Sequence, residues 1–261
     1  MGKHKLYCFS SSSSGNCNLL ICGDTKILID FGISVMKLRR NLQELEMDIT
    51  DLSAVLITHE HIDHVKGIKT FVKRYDIPIY ATCGTAAAIY RTVPEAKGHI
   101  VEYFGDETLT IDGISVESFL TPHDAEESVG FVFKASGLHF GYVTDLGFVP
   151  SSVEKKLNGC VTALLESNHD VYMLQTGPYP YYLKQRVRGA RGHLSNDDCA
   201  CLASYLAKRG TKRFILAHLS ETNNEPRLAK ITCTDAVQLE NPECEVYVLP
   251  AAGALQPYDL E

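Results

Sequence analysis

No apolar run in this 261-residue sequence approaches the length of a membrane-spanning helix, so a membrane-embedded protein is not expected. No two cysteines form a Cys-x-x-Cys pair. The nine thiols are odd in number and scattered, which argues against a disulfide framework and for reduced cysteines in a cytoplasmic protein. Cys199-x-Cys201 comes closest to a pair, but it falls in a helical pattern where burial is expected rather than metal binding. The basic start, Met1-Gly2-Lys3-His4-Lys5, runs into serines instead of a continuous apolar segment, so no secretion signal is expected. Positive charge is lacking too. A net charge of −7 excludes a protein that holds nucleic acid by its whole surface. Repeats and linkers are missing, and 45% hydrophobic content is ordinary globular usage, so residues 1–261 are expected to form one domain.

What is present is a concentration of metal ligands. His59-Glu60-His61-Ile62-Asp63-His64 places four of them on one turn, directly after the β-branched apolar run Ala54–Thr58 that reads as a buried strand. The plain alternative, a polar turn that happens to be rich in histidine, needs three unrelated accidents in six positions. The zincin pattern H-E-x-x-H is absent because Asp63 stands four after His59, so Glu60 reads as a supporting or surface group.

The remaining chain alternates strands and helices, which suggests α/β layers. Strand-like segments include Leu6–Phe9, Leu19–Cys22 and Lys26–Asp30, and the serine-rich stretch 10–18 reads as a loop between paired strands. Helices are expected after a Ser34 cap through Leu45, directly after the histidine turn through Tyr75, from Ser195 with Asp198 to Gly210, and from Pro226 through Ile231. Ligand-type residues recur where apolar runs end: His123, Asp145, Glu166 and His218. A sheet rim can gather such residues into one cleft.

These residues resemble the metallo-β-lactamase superfamily. Thr-His-Glu-His-Ile-Asp-His fits its T-H-x-H-x-D-H signature, and His123, Asp145 and His218 follow in the expected order. The resemblance implies a four-layer αββα sandwich. It also implies two metal ions, the first held by His59, His61 and His123, the second by Asp63, His64 and His218, with Asp145 bridging. Imidazole and carboxylate donors suit Zn²⁺, Mn²⁺ or Fe²⁺. Two such ions about 3.5–4 Å apart activate a bridging water and clamp the group it attacks. Asp63 is a candidate to orient that water or take its proton.

The C-terminal third resembles the transfer-RNA 3′-processing nucleases of the superfamily, in which a glutamate-supported histidine lies near the scissile phosphate. His193 and Glu166 match those positions, with a helix-entry histidine bonded to backbone as the alternative. Over the whole chain, Ser-Ser-Gly-Asn-Cys, Glu-Ser-Asn-His-Asp at Glu166–Asp170, Gly-His-Leu-Ser-Asn and Ala-His-Leu-Ser are similar to the YycJ (WalJ or VicX) family of bacterial metallo-hydrolases. That resemblance implies 5′–3′ exonuclease action on DNA, more than on RNA, and a place in DNA repair. The alternative is hydrolysis of a small carbonyl substrate, a thioester or lactone, at the same centre. Lys184, Arg186, Arg188 and Arg191 read as a solvated face on charge pattern alone, but they lead straight into His193. Arg186 and Arg188 are therefore candidate backbone contacts, and His169 a candidate substrate contact. His4, His99 and His139 have no ligand-like context. The sequence does not set the oligomeric state.

Overall fold

The structure, a computed structural model, describes residues 4–261; residues 1–3, and with them part of the basic start, lie outside the described residues. Strands β1 (His4–Ser12), β2 (Gly15–Cys22) and β3 (Thr25–Ile29) precede helix α1 (Val35–Glu44). Strand β4 (Ala54–Leu56) leads into two single-turn helices, α2 (Ile62–Val65) and α3 (Ile68–Phe71), then β5 (Ile79–Thr82), α4 (Cys83–Thr92) and β6 (Ile100–Tyr103). A meander follows: β7 (Thr108–Ile111), β8 (Ile114–Leu120), β9 (Val129–Ala135) and β10 (Leu138–Val143). Next come α5 (Ser151–Leu157), β11 (Thr162–Glu166), α6 (Val171–Thr176), α7 (Tyr181–Arg188) and α8 (Asn196–Ala207). Strand β12 (Arg213–Ala217), α9 (Pro226–Glu240), β13 (Glu245–Val248) and β14 (Ala254–Asp259) come last.

The strands form two seven-stranded sheets, ordered β14-β1-β2-β3-β4-β5-β6 and β13-β12-β11-β10-β9-β8-β7. Each sheet is antiparallel in one half and parallel in the other. Three apolar layers result. Leu6, Leu20, Ile27 and Leu56 meet Phe131, Phe140, Leu164 and Ile215 between the sheets. Leu28, Val55 and Ile57 face α1, α3 and α4 through Leu38, Phe71 and Ile89. On the other side Leu165, Phe214 and Leu216 face α5, α8 and α9 through Leu157, Leu202 and Val237. Leu164 and Leu165 thus point to opposite faces, as the two-residue period of a strand requires. Each such buried Leu or Phe contributes about 1.5–3 kcal/mol of transfer free energy. This is the αββα sandwich expected from the sequence.

The capped helices form as read: Ser34 accepts from the Lys37 amide and Ser195 from the Asp198 amide. Three expectations need correction. The stretch 10–18 is mostly strand, with only Ser13 and Ser14 in the turn of the β1–β2 hairpin, and its small side chains are largely buried. The helix after the histidine turn is interrupted at Gly67, where a Cβ would overlap the Phe31 ring and the amide donates to the Phe31 carbonyl. In the Cys199-x-Cys201 pair only Cys199 is buried, because Cys201 falls on the exposed face of α8. Helix α9 buries Ala229, Cys233 and Val237, leaving Leu228 and Ile231 partly exposed.

Candidate metal centre

The site lies where strands end. Asp30 follows β3, His59 follows β4, His123 follows β8, Asp145 follows β10, Glu166 closes β11 and His218 follows β12. Register keeps three of these ends adjacent, since Val143 pairs with Leu165 and Glu166 with Ala217. The chain turns sharply there. Asp30, Asp145 and His218 have φ of 61°, 58° and 56°. This left-handed conformation is uncommon outside glycine, although Asp and His are enriched in it, and such residues gather at functional sites.

His59, His61 and His123 bring one nitrogen each within 4.8 Å of one another, and Asp63, His64 and His218 form a second such set. Asp145 faces both. Its Oδ1 lies 3.7 Å from His123 Nε2, and its Oδ2 lies 3.5 Å from His64 Nε2. Each imidazole has its other nitrogen engaged, which orients the ring as metal-binding histidines require. His59 Nδ1 meets the Thr58 hydroxyl at 3.1 Å, and His61 Nε2 meets the Asp124 carbonyl at 3.2 Å. His123 Nδ1 donates to the Gly192 carbonyl, and His64 Nδ1 to Asp30. His218 Nδ1 donates to Glu166 at 2.8 Å. His59 Nε2, His218 Nε2 and Asp145 Oδ2 are buried with no hydrogen-bond partner. A buried polar atom left unpaired costs about 1–3 kcal/mol, so an orphan in each of the two sets, with the Asp145 oxygen facing both, fits divalent cations. The donors are nitrogens and oxygens without thiolate, suited to Zn²⁺, Mn²⁺ or Fe²⁺.

Electrostatics follow this geometry. Burial opposes charge on His59, and the neighbouring imidazoles add to it, holding His59 well below the ordinary histidine range as a neutral ligand must be. Burial also opposes charge on His64, but Asp30 and Asp145 outweigh it and push His64 up to about 10; were His64 to help hold a cation, that charge would favour the neutral imidazole instead. Burial disfavours charge on Glu166, yet His193 and His218 hold its carboxyl well below the usual range. Glu166 is the centre's hub. Its Oε1 accepts from His193 Nδ1 and His218 Nδ1, both at 2.8 Å, and its Oε2 accepts from the Leu146 and Leu194 amides, both at 3.0 Å. His193 is raised in turn, the Glu166 carboxylate overcoming burial.

The profile of the β-lactamase superfamily domain matches residues 25–219, spanning every candidate ligand from His59 to His218. The chain belongs to the metallo-β-lactamase superfamily. It is 33% identical to "Exodeoxyribonuclease YycJ" of Bacillus anthracis, over 91% of this chain and 90% of that one. It is 36% identical to "Exodeoxyribonuclease WalJ" of Streptococcus pneumoniae serotype 2, over 85% and 84%. Among solved structures, the metallo-β-lactamase fold protein YhfI of Bacillus subtilis superposes with a TM-score of 0.75 at 16% identity, covering 99% of this chain and all of that one. That likeness concerns the fold.

In this superfamily member a cleft of about 220 Å³ opens onto the candidate metal residues through His61, Asp63, Asp145 and His218, with His193 and Arg186 on its wall. Asp63 is the more exposed carboxylate of the centre. Arg186 pairs with Asp124 at 2.7 Å. Arg188 is exposed at the end of α7 and does not line the cleft. His169 is buried, pushed down to about 4 by burial, and also lies outside the lining. Glu60 accepts from the Glu126 amide and so ties down the loop after His123. Sequence reading missed four supports. Asp30 accepts from the Thr58 amide and hydroxyl as well as from His64. Asn16 Nδ2 approaches His64 Nε2 at 2.9 Å, the Ser11 hydroxyl accepts from the His218 amide, and Asp124 flanks His61 and His123. Asp30 alone carried a signal, as one more acidic residue at a strand exit.

Among the described residues no helix is long and apolar enough to cross a membrane.

Proposed function

We propose that residues 1–261 act as one dinuclear-metal nuclease domain that hydrolyses phosphodiester bonds, with DNA as the substrate. The observation that carries this reading is the shared Glu166 oxygen, which fixes His218 at the metal centre and His193 at the cleft wall. The names of the two relatives, both exodeoxyribonucleases similar over most of their length, support it. His59, His61 and His123 would hold one cation, Asp63, His64 and His218 the other, and Asp145 would reach both. When bound, the cations supply Lewis acidity toward a phosphoryl oxygen and a water of lowered pKa.

The side chains do the rest. Asp63, partly exposed in the cleft, orients the attacking water and accepts its proton. His193 donates Nδ1–H to Glu166, and that carboxylate raises its pKa against the effect of burial, favouring the protonated ring. Its Nε2–H is therefore available to protonate the oxygen that leaves phosphorus as the new P–O bond forms. Thioesters release a thiolate that needs no such acid, so a protonated histidine beside the centre favours the phosphodiester over a thioester. Arg186 offers a cation to the substrate backbone at the cleft wall. Nine unpaired cysteines are consistent with a reducing cytoplasm. The test is turnover of 5′-labelled DNA and RNA by protein loaded with Zn²⁺, Mn²⁺ or Mg²⁺, beside thioester and lactone panels. Hydrolysis of thioesters or lactones with no nucleic-acid cleavage under any of the three metals would overturn the proposal.

A further inference from the structure

A second groove, of about 500 Å³, lies between the first turn of α1 and the α2–α3 segment. Arg39, Lys66 and Arg74 line it, with Met36 and Tyr75 as apolar surface and Gly67 at its floor. No carboxylate lines it. All three cationic residues are exposed, and none makes a side-chain hydrogen bond or ion pair among the described residues. Three unpaired cations in one concavity are unexpected in a chain of net charge −7, because self-repulsion gains nothing for the fold. The larger groove of about 750 Å³ beside β13 and β14 offers a contrast. Its Arg213 is held by Glu245 and by the Asp259 and Glu261 carbonyls, and although Arg227 and Lys230 also line it, Glu245 and Asp259 place carboxylates beside them.

The basic groove is mechanically continuous with the metal centre. Lys66 follows the short helix that carries Asp63 and His64. The Phe31 amide donates to the His64 carbonyl at 2.7 Å, and the Phe31 carbonyl accepts from Gly67 at 2.8 Å. The groove floor and the ligand turn are thus one hydrogen-bonded unit.

We infer that this groove is a second anchoring site for the nucleic-acid substrate, holding the sugar-phosphate backbone of the strand outside the metal cleft. The inference rests on the nuclease reading. Phosphates meet Arg39, Lys66 and Arg74 as point contacts, whereas the half-buried Tyr75 ring gives a flat face on which a base stacks without sequence preference, with exposed Met36 as further apolar surface. The 220 Å³ cleft has room for little more than the reacting phosphodiester and its neighbours, so affinity for a long strand must come from elsewhere.

The test compares metal-loaded wild type with Arg39→Ala/Arg74→Ala, both positions being exposed and outside the centre. Binding of a long fluorescein-labelled oligonucleotide is read by anisotropy over a salt series, beside turnover of that oligonucleotide, of a dinucleotide and of bis(p-nitrophenyl) phosphate. Losing two phosphate contacts should flatten the slope of log affinity against log salt by about 1.5 and weaken long-strand binding about tenfold. KM for the long strand should rise in step, while dinucleotide and bis(p-nitrophenyl) phosphate turnover stay at wild-type levels. An unchanged salt slope, or equal losses on long and short substrates, would overturn the groove while leaving the nuclease reading intact. A wild type that neither binds nor cuts nucleic acid would sink both.

Discussion

Replacing Glu166 by Gln keeps the shape of the side chain and removes one of its two acceptor oxygens. Four donors converge there: the Leu146 and Leu194 amides on Oε2, and His193 Nδ1 and His218 Nδ1 on Oε1. The glutamine amide can satisfy only one pair. Turned one way, its NH₂ faces two backbone amides; turned the other, it faces two imidazole N–H groups. Glu166 is fully buried, so no water repairs the mismatch. Two unsatisfied buried donors at about 1–3 kcal/mol each give a loss of about 2–6 kcal/mol, a large share of the roughly 5–15 kcal/mol available to a folded domain. At about 2–4 °C per kcal/mol for a chain of this size, the midpoint should fall by about 4–24 °C. Because His218 loses its orienting acceptor, metal affinity should also drop about 10–100-fold. Thermal unfolding in chelator isolates the first effect, and competition for Zn²⁺ against a chromophoric chelator isolates the second. If E166Q melted within a degree of wild type and bound metal equally well, the hub assigned to Glu166 would be wrong.

Changing His193 to Ala should lower turnover of DNA by about 10²–10⁴, the usual worth of a general acid, but that of bis(p-nitrophenyl) phosphate less than tenfold. The Glu166 carboxylate raises the His193 pKa, so the wild-type DNA rate should decline at higher pH than an ordinary histidine would give, as pH rises through the raised pKa; H193A should lose that alkaline limb. Asp30→Asn removes the anionic partner of His64 Nδ1 and should weaken metal binding about 10–100-fold by the same chelator competition, without touching the cleft. Gly32→Ala would drive its Cβ into the Asp63 carbonyl, costing about 1–3 kcal/mol or more in urea unfolding and displacing Asp63 enough to depress turnover.

The candidate metal cluster was legible because ligand types stood where apolar runs stopped, at His59, His123, Asp145 and His218, and strand exits are where a sandwich collects distant residues. Ser34 and Ser195 announced their helices through local capping, which needs no tertiary context. The serine stretch misled because small polar residues favour loops, yet here they are buried in the β1–β2 hairpin, and Ser11 bonds the His218 amide across 207 residues. The break at Gly67 depends on the Phe31 ring, which nothing in residues 62–75 reveals. Helix α7 buries no residue and so left little apolar stripe to read. Asn16 was invisible for the same reason as Ser11, its partner lying far along the chain, and Asp124 adjoins His123 but reaches His61 and Arg186 only through the fold.

Anomalous diffraction from crystals grown with metal supplied tests the centre most directly. The account predicts two scatterers, one among His59, His61 and His123 and one among Asp63, His64 and His218, with Asp145 between them. A metal bound elsewhere, or these seven side chains left without one at saturating concentration, would contradict it.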